Sequence, residues 1–166
     1  DPDEIWSNAV EKIVKFIKKD ESVVLLCLGD TSLFASSSNI LRLIKSNHSE
    51  IITKTIPGIS SVSAAAALND FDLVKKGETL IIKECPSSES EFTSLIRESK
   101  LNKTVLAILK VGKRWNLVRD ILKKEDIINN SLIALSVGTP DQIIQYASQY
   151  KKDFMPYFSL ILIRFD

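Results

Sequence analysis

An unbroken apolar run, Val23–Leu28, is followed at once by Gly29 and Asp30. A run of this length is too short for a buried helix and is typical of a strand buried on both faces, as in a parallel sheet. Glycine lets a ligand approach the backbone closely, and the aspartate puts a carboxylate at the carboxyl end of the strand. Ligands of open α/β sheets bind at this end. The run therefore predicts a parallel sheet with a small-molecule site directly after it.

The composition narrows the class of protein. The chain has 166 residues, 45% of them hydrophobic and 26% charged, which is enough to bury a core as one domain or two small ones. A net charge of +1 favours neither nucleic acid nor a membrane surface as a partner. No apolar run approaches the ~20 residues of a membrane span, and the opening Asp-Pro-Asp-Glu does not resemble a signal peptide. Two cysteines make no disulfide framework, so we expect a reducing, cytoplasmic compartment.

The first part of the chain alternates helical and strand patterns. Asp1 and Pro2 can begin a helix, in which apolar residues recur at helical spacing to Ile17 and Lys18 and Lys19 lie near the end. The next predicted elements are a strand at Val23–Leu28, a helix at Asn39–Ser46, a strand at Ile51–Ile56 and an alanine-rich helix at Ser60–Leu68. This order is typical of a wound parallel sheet.

A polar stretch, Asn69–Glu78, separates two predicted domains, residues 1–72 and residues 73–166. The alternation then resumes. The predicted elements are strands at Thr79–Lys83, Thr104–Leu109, Ser131–Val137 and Tyr157–Phe165, and helices at Ser88–Glu98, Trp115–Lys123 and Gln142–Tyr150. The predicted fold class of the whole chain is therefore α/β.

Both predicted strands of the first domain end in glycine with hydroxyl-bearing residues close behind. Gly29 and Asp30 end the first strand, and Gly58, Ser60 and Ser61 follow the second. Each motif alone is also explained by a strand-to-helix turn, in which Gly supplies backbone freedom and the polar residue caps the helix. Small side chains leave room for a ligand, and hydroxyls can bind its polar edges. The two motifs together therefore favour a shared pocket more than either does alone.

A cationic run, Lys110–Arg114, follows the strand at Thr104–Leu109. Runs of charge are usually solvated surface. The alternative is recognition of carboxylate or phosphate groups, to which Lys and Arg are well suited. The run lacks the glycine-rich Walker pattern, so it does not indicate binding of a nucleoside triphosphate.

Metal and nucleophile chemistry has little support in the sequence. His48 is the only histidine, so the chain cannot build a His-based metal cluster or a Ser–His triad by itself, and we expect no metal. Cys27 lies within a predicted strand, where core packing explains it. Cys85 precedes a proline in a predicted loop, and nothing nearby marks it as a nucleophile. No catalytic residue is predicted.

Several motifs in order resemble the tetrapyrrole methylases, the S-adenosylmethionine-dependent enzymes of corrin and siroheme synthesis. They read GDTSLF, IPGISSVSAAAA, LAILKVGK, SVGTPDQII and YFSLILIRF. The resemblance covers nearly the whole chain. The serines after the first motif, the Lys-Val pair of the third and the YFSLILIR ending are most similar to the precorrin-2 C20-methyltransferases.

The resemblance implies a two-domain fold, in which the end of an N-terminal parallel-sheet domain precedes a C-terminal mixed-sheet α/β domain. It places the cofactor, S-adenosyl-L-methionine, in the cleft between them. The implied cofactor contacts are Leu28, Gly29, Asp30, Leu33, Ser60, Ser61, Leu109 and Gly138. Because the family's substrates carry many carboxylates, Lys110, Lys113 and Arg114 become candidate substrate-binding residues.

The sequence also departs from the family pattern. Thr31 stands where the family's first motif has proline. The family's N-terminal loop, Gly-x-Gly-Pro-Gly-Asp, has no counterpart in the sequence, so we expect the chain to be a carboxyl-terminal portion of a longer enzyme.

The implied activity is methyl transfer from S-adenosyl-L-methionine to C20 of precorrin-2 or cobalt-precorrin-2 in cobalamin synthesis, by an enzyme that is a homodimer when full length. The sulfonium is already activated and the acceptor carbon is electron-rich, so the protein's main task would be positioning in a dry cleft. The alternatives are another family member, such as a precorrin-4 methyltransferase or a diphthine synthase, and a non-catalytic α/β module.

Overall fold

The computed structural model of the chain describes residues 2–17 and 21–165. The chain divides into two compact units, Asp1–Ser60 and Ser61–Asp166. The predicted helix cap at Asp1 and the predicted helical positions of Lys18 and Lys19 lie outside the described residues.

The first unit contains two helices, α1 (Pro2–Ile17) and α2 (Ser37–Asn47). Their apolar stripes bury a small aliphatic core formed by Val10, Val14, Ile40 and Ile44. These residues recur at spacings of four along each helix, as expected for faces that pack together. Both helices predicted for this part of the chain are confirmed.

The two strands predicted for the first unit, Val23–Leu28 and Ile51–Ile56, are not formed. Neither segment pairs with a strand among the described residues, and both are largely exposed, with Leu26 at 87% and Ile52 at 98%. A buried parallel strand requires neighbours that hydrogen-bond its backbone and elements that cover its faces. The described part of this unit contains no strand that could serve as such a neighbour. The two strand predictions are therefore wrong for this structure.

A five-stranded sheet forms the centre of the second unit. Its strands are β1 (Thr79–Glu84), β2 (Thr104–Leu109), β3 (Ser131–Leu135), β4 (Ile143–Tyr146) and β5 (Ser159–Ile163). The spatial order is β1-β2-β5-β3-β4, in which β1 and β2 pair in parallel and every other pair is antiparallel. The predicted α/β class with a mixed sheet is thus confirmed.

Helices cover both faces of this sheet. They are α3 (Ser61–Ala67), α4 (Glu89–Leu101) and α5 (Trp115–Lys124). Leu106 and Ile108 of β2 belong to the core that includes α4 and α5, whereas Ala107 and Leu109 belong to the core that includes α3. The central strands β2, β3 and β5 are buried at every position, as expected for strands covered on both faces.

The predicted helix at Gln142–Tyr150 is wrong. These residues form strand β4 and a 3-10 helix, Ala147–Gln149. Ile143 pairs antiparallel with Leu135, because only a short turn joins β3 to β4 and an open sheet edge is available. Pairing with β3 thus overrides the local helical pattern.

The division into compact units falls twelve residues or so before the predicted domain boundary at residues 72 and 73. The reason is the packing of α3. Val62, Ala65 and Ala66 are buried with Leu132 and Leu160 of the five-stranded sheet, and their small side chains allow close contact. The alanine-rich helix therefore belongs to the second compact unit, while the domain boundary of the whole protein stays a prediction.

Candidate functional site

Several loops of the second unit meet at one edge of its sheet. Strands β1, β2 and β3 share one direction, so Glu84, Leu109 and Leu135 end at the same edge, where antiparallel β5 begins with Ser159. Leu109 lies opposite Leu160, and Leu135 lies opposite Ser159. This is the edge at which open α/β sheets place their ligands.

The loop after β2 is fixed by the first residue of β5. The Gly112 N–H donates to Ser159 Oγ at 2.9 Å, and the Val111 N–H donates to the Ser159 carbonyl at 3.4 Å. Lys110 and Gly112 have positive φ values of 56° and 43°, so the chain turns sharply away from the strand. Ser159 is buried, and the loop is therefore held from within the core.

The three predicted substrate-binding residues come together in this loop. Lys110, Lys113 and Arg114 line an open depression of about 550 Å³, together with Glu84, Val111, Gly112, Met155 and Tyr157. The Lys110 ammonium pairs with the Glu84 carboxylate, and this hydrogen bond raises the pKa of Lys110. The Arg114 guanidinium donates to the Cys85 carbonyl. Lys110 and Arg114 therefore also connect the loop after β2 to the end of β1 and the residue that follows it.

Cys85 lies beside this depression but has the character of a core residue. Its side chain is buried, and burial is the main reason that the pKa of its thiol is raised. Its N–H donates to the Leu109 carbonyl at 2.8 Å, which ties the start of the loop after β1 to the end of β2. A thiol held in its neutral form is a poor nucleophile.

Three predicted cofactor residues, Ser61, Leu109 and Gly138, belong to the second unit. Leu109 is 9% exposed and packs in the core that includes α3, whose first residue is Ser61. Gly138 has a φ of 84° in the turn after β3, and its N–H donates to the Gln142 side chain at 3.1 Å. Leu109 is the last residue of β2 and Gly138 follows β3 at the same edge of the sheet, whereas Ser61 begins the helix on one face of the sheet.

The other predicted cofactor residues, Leu28, Gly29, Asp30, Leu33 and Ser60, belong to the first unit. Gly29 has a φ of 79°. The Asp30 carboxylate accepts hydrogen bonds from Ser32, at 2.7 Å from its N–H and 2.6 Å from its Oγ. Both bonds lower the pKa of Asp30, and the bond from the Ser32 hydroxyl contributes most, so the carboxylate stays ionised. Leu28 is 80% exposed, while Leu33 and Ser60 are half-buried.

The Gly-Asp and Pro-Gly motifs meet within the first unit even though their strands are not formed. A Cβ atom at Gly58 would lie 2.2 Å from the Gly29 carbonyl oxygen, so no larger residue fits there. The Thr31 hydroxyl donates to the Ile56 carbonyl at 3.4 Å. The predicted proximity of the two motifs is therefore a property of this structure, and glycine is required for it.

Sequence reasoning missed three residues that shape the site. Ser159 holds the loop after β2, Glu84 pairs with Lys110, and Tyr157 lines the depression. Glu84 and Tyr157 could have been suspected, because Glu84 directly follows the predicted strand Thr79–Lys83 and Tyr157 begins the predicted strand Tyr157–Phe165. Their partners are set by the strand order, which no local pattern reveals.

Two kinds of feature are absent from the described residues. They include no group of three or more His, Cys, Asp or Glu side chains placed to bind a metal ion. Nor does any helix within residues 2–17 and 21–165 combine the length and apolar character needed to cross a membrane.

The sequence profile of the tetrapyrrole (corrin/porphyrin) methylases matches residues 2–148. The chain belongs to this family. It is 27% identical over 164 residues to the probable cobalt-precorrin-2 C(20)-methyltransferase of Methanocaldococcus jannaschii. This match covers 96% of the chain and 64% of that relative. The chain spans between 30% and 65% of the length of the curated relatives it matches. The family resemblance read from the motifs is thus confirmed.

Solved structures of tetrapyrrole methylases share the fold. The cobalt precorrin-4 methyltransferase CbiF matches with a TM-score of 0.71 at 18% identity, over 93% of this chain and 69% of that one. The uroporphyrin-III C-methyl transferase of Thermus thermophilus, complexed with S-adenyl homocysteine, matches with a TM-score of 0.59 at 16% identity, over 95% and 72% of the two chains.

Proposed function

We propose that the protein takes part in cobalamin synthesis as an S-adenosyl-L-methionine-dependent methyltransferase that methylates C20 of precorrin-2 or cobalt-precorrin-2. The observation that carries the proposal is the match of residues 2–148 to the tetrapyrrole methylases, together with the similarity to a probable cobalt-precorrin-2 C(20)-methyltransferase. A homodimeric, cytoplasmic enzyme, with neither nucleic acid nor a membrane as partner, is part of the same proposal.

The Gly-Asp and Pro-Gly motifs fit the proposed cofactor. Gly29 has no side chain to cover the backbone that precedes Asp30, which allows close approach of a ligand. Gly58 keeps the Pro-Gly motif beside it, since an added Cβ would lie 2.2 Å from the Gly29 carbonyl oxygen. The ionised Asp30 carboxylate can accept hydrogen bonds from cofactor hydroxyls or face a cation. Leu28, Leu33, Ser60, Ser61, Leu109 and Gly138 remain the other proposed contacts.

In the proposed mechanism, the protein binds the cofactor and the methyl acceptor and orients them for methyl transfer. When bound, S-adenosyl-L-methionine supplies an activated methyl group on a sulfonium. Gly29, Gly58 and Asp30 of the first unit would hold the cofactor, and Leu109 of the second unit, which is 9% exposed, remains a proposed apolar contact. Excluding water and fixing the approach of the two reactants lowers the barrier without acid–base help. Cys85 takes no part, because its thiol is buried and neutral.

The experiment is a product analysis with isotopically methyl-labelled S-adenosyl-L-methionine. Precorrin-2, cobalt-precorrin-2 and precorrin-4 are offered separately, and mass spectrometry with NMR locates the label. We expect one labelled methyl at C20 of a precorrin-2-type acceptor. Methylation of precorrin-4 alone would identify a different family activity, and labelling of no acceptor would favour the non-catalytic module.

Gly29→Val tests the cofactor part of the proposal. A β-branched residue at a φ of 79° is strained, and its side chain occupies the surface offered to the cofactor. We expect calorimetry to detect no S-adenosylhomocysteine binding to the variant, while the fold of the second unit is retained. Gly77→Val is the matched control, because it adds the same side chain at a similar φ of 86°, where a Cβ meets nothing within 4 Å, and Gly77 is not among the proposed cofactor contacts. Unchanged affinity in a folded Gly29→Val protein would exclude this surface as the cofactor site.

A further inference from the structure

Two exposed aromatic residues, Tyr157 and Phe158, stand directly before β5, and the proposed function gives neither of them a role. Tyr157 is 64% exposed and Phe158 is 62% exposed. Single exposed apolar side chains are common on protein surfaces and need no explanation. Two neighbouring rings at the edge where this kind of sheet binds ligands are a candidate contact surface.

Phe158 stands between the two loops that contain proposed cofactor contacts of the second unit. Strand β5 lies between β2 and β3 in the sheet, and it begins at the edge where those two strands end. Leu109 is the last residue of β2, and Gly138 follows β3. The two outer strands are separated by two strand spacings, roughly 10 Å. A ligand that contacts both Leu109 and Gly138 therefore lies across the start of β5, next to Phe158.

The backbone of Phe158 is fixed on both sides. Its carbonyl accepts a hydrogen bond from the Ser136 N–H at 2.8 Å, which joins it to the loop after β3. The Ser159 N–H donates to the Tyr157 carbonyl at 2.9 Å and closes a γ-turn centred on Phe158. Ser159 is buried and also accepts the Gly112 N–H of the loop after β2. Phe158 is thus exposed on a backbone that both neighbouring loops restrain.

The ring of Phe158 is held by its neighbour. The rings of Tyr157 and Phe158 pack edge-to-face, with centroids 5.3 Å apart and an interplanar angle of 75°. This arrangement is favoured by the charge distribution of aromatic rings. Tyr157 is held in turn by a hydrogen bond with the Lys110 side chain. A ring that is already oriented loses less conformational entropy when a ligand packs on it.

We propose that the ring of Phe158 stacks on the purine of the cofactor and is a cofactor-contacting residue of this enzyme. Tyr157 is a positioning residue, because it orients the Phe158 ring through their edge-to-face contact. A purine is flat and aromatic, so it matches an exposed ring whose own side chain has no polar group. The identity of the ligand rests on the proposed function, whereas the place of Phe158 between the two loops rests on the strand order and the hydrogen bonds.

Calorimetry with S-adenosylhomocysteine on the full chain tests the contribution of the ring. Phe158→Ala removes the ring, and Phe158→Tyr keeps it. Phe154→Ala is the matched control, because Phe154 is an equally exposed phenylalanine, at 65%, in the connection that leads to β5, and it has no proposed role.

We expect Phe158→Ala to weaken binding of S-adenosylhomocysteine by about tenfold, within the range that base–aromatic stacking gives. Phe158→Tyr should bind nearly as tightly as wild type, and Phe154→Ala should bind equally tightly. Wild-type affinity in Phe158→Ala would overturn the proposal, as would equal losses in the two alanine variants.

NMR of the wild-type complex tests the same contact without a substitution. In protein with isotopically labelled phenylalanine rings, the adenine ring protons of S-adenosylhomocysteine should show an intermolecular NOE to one phenylalanine. This NOE should disappear in Phe158→Tyr and persist in Phe154→Ala. A wild-type complex in which no phenylalanine ring contacts the adenine protons would overturn the proposal.

These results are distinguishable from those that test the proposed function. If the purine contacts Phe158 but no tetrapyrrole is methylated, the proposed function fails and the stacking contact stands. If C20 is methylated and Phe158→Ala binds S-adenosylhomocysteine as tightly as wild type, only the stacking contact fails. A wild-type protein that binds no S-adenosylhomocysteine would contradict both.

Discussion

Replacing Ser159 by alanine should destabilise the second unit by breaking the support of the loop that carries Lys110 and Lys113. Ser159 is buried, and its Oγ accepts the Gly112 N–H at 2.9 Å. Gly112 is itself buried, so the substitution leaves an N–H group without an acceptor and away from water. Such a group costs about 1–3 kcal/mol. We therefore expect the free energy of unfolding to fall by about 2 kcal/mol.

Ser99 provides a matched control. It is also buried, at 2% exposure, but among the described residues its hydroxyl has no hydrogen-bond partner. Ser99→Ala removes the same atom from a helix interior, where alanine is favoured by a few tenths of a kcal/mol. The same substitution should thus lower the free energy of unfolding at Ser159 and leave it unchanged or raise it at Ser99. This difference would rule out a general effect of removing a buried hydroxyl.

The assay is equilibrium urea unfolding in a Trp6→Phe background, in which fluorescence reports only Trp115 in the core of the second unit. With a typical m value near 2 kcal/mol/M, a loss of about 2 kcal/mol lowers the midpoint by about 1 M. Ser99→Ala should leave the midpoint unchanged or raise it. If Ser159→Ala unfolds at the same midpoint as Ser99→Ala, the hydrogen bond does not hold the loop and the reasoning is refuted.

Two further predictions concern the other parts of the chain. Hydrogen exchange should be slow for amides of β2, β3 and β5, which lie inside the sheet, and fast for residues 23–28, which have no ladder; protection of equal strength in both regions would contradict the structure. The pKa of Glu78 lies below its usual 4.5, mainly because the carboxylate accepts a hydrogen bond from the Lys75 N–H and also because it pairs with Arg164. The ionised Glu78 carboxylate therefore stabilises the fold above pH 4.5, and this stabilisation is lost as the pH falls through the folded-state pKa. Glu78→Gln should therefore be less stable than wild type at pH 7, with a difference that shrinks below pH 4.5, and a difference independent of pH would show that the charge is irrelevant.

Local patterns were sufficient where one element decides its own structure. The strand at Thr104–Leu109 begins and ends where predicted, and the helix predicted at Trp115–Lys123 spans Trp115–Lys124. In each case the apolar pattern and the flanking polar residues agree, so the local preference and the tertiary packing point the same way. The motifs likewise predicted the family, because residues such as Gly29, Gly58 and Gly138 occur in a characteristic order.

Patterns failed where a structure depends on a partner. The apolar run at Val23–Leu28 predicts a strand, yet its fate depends on whether neighbouring strands exist to bond it. The residues Gln142–Tyr150 have a helical pattern, yet the open edge of β3 made Ile143–Tyr146 a strand. The spacing of apolar residues reports only the intrinsic preference of one segment for helix or strand. A strand also depends on hydrogen bonds to a neighbouring strand, which the segment cannot make alone.

The sequence by itself determined the α/β class, most element positions in the second unit and the membership of the tetrapyrrole methylases. The tertiary structure decided which residues act together: Lys110 with Glu84, Gly112 with Ser159, and Gly29 against Gly58. These pairs are separated by 26, 47 and 29 positions along the chain. No short-range pattern encodes such contacts, because they arise from the order of strands and from the closure of loops whose cost depends only weakly on their length.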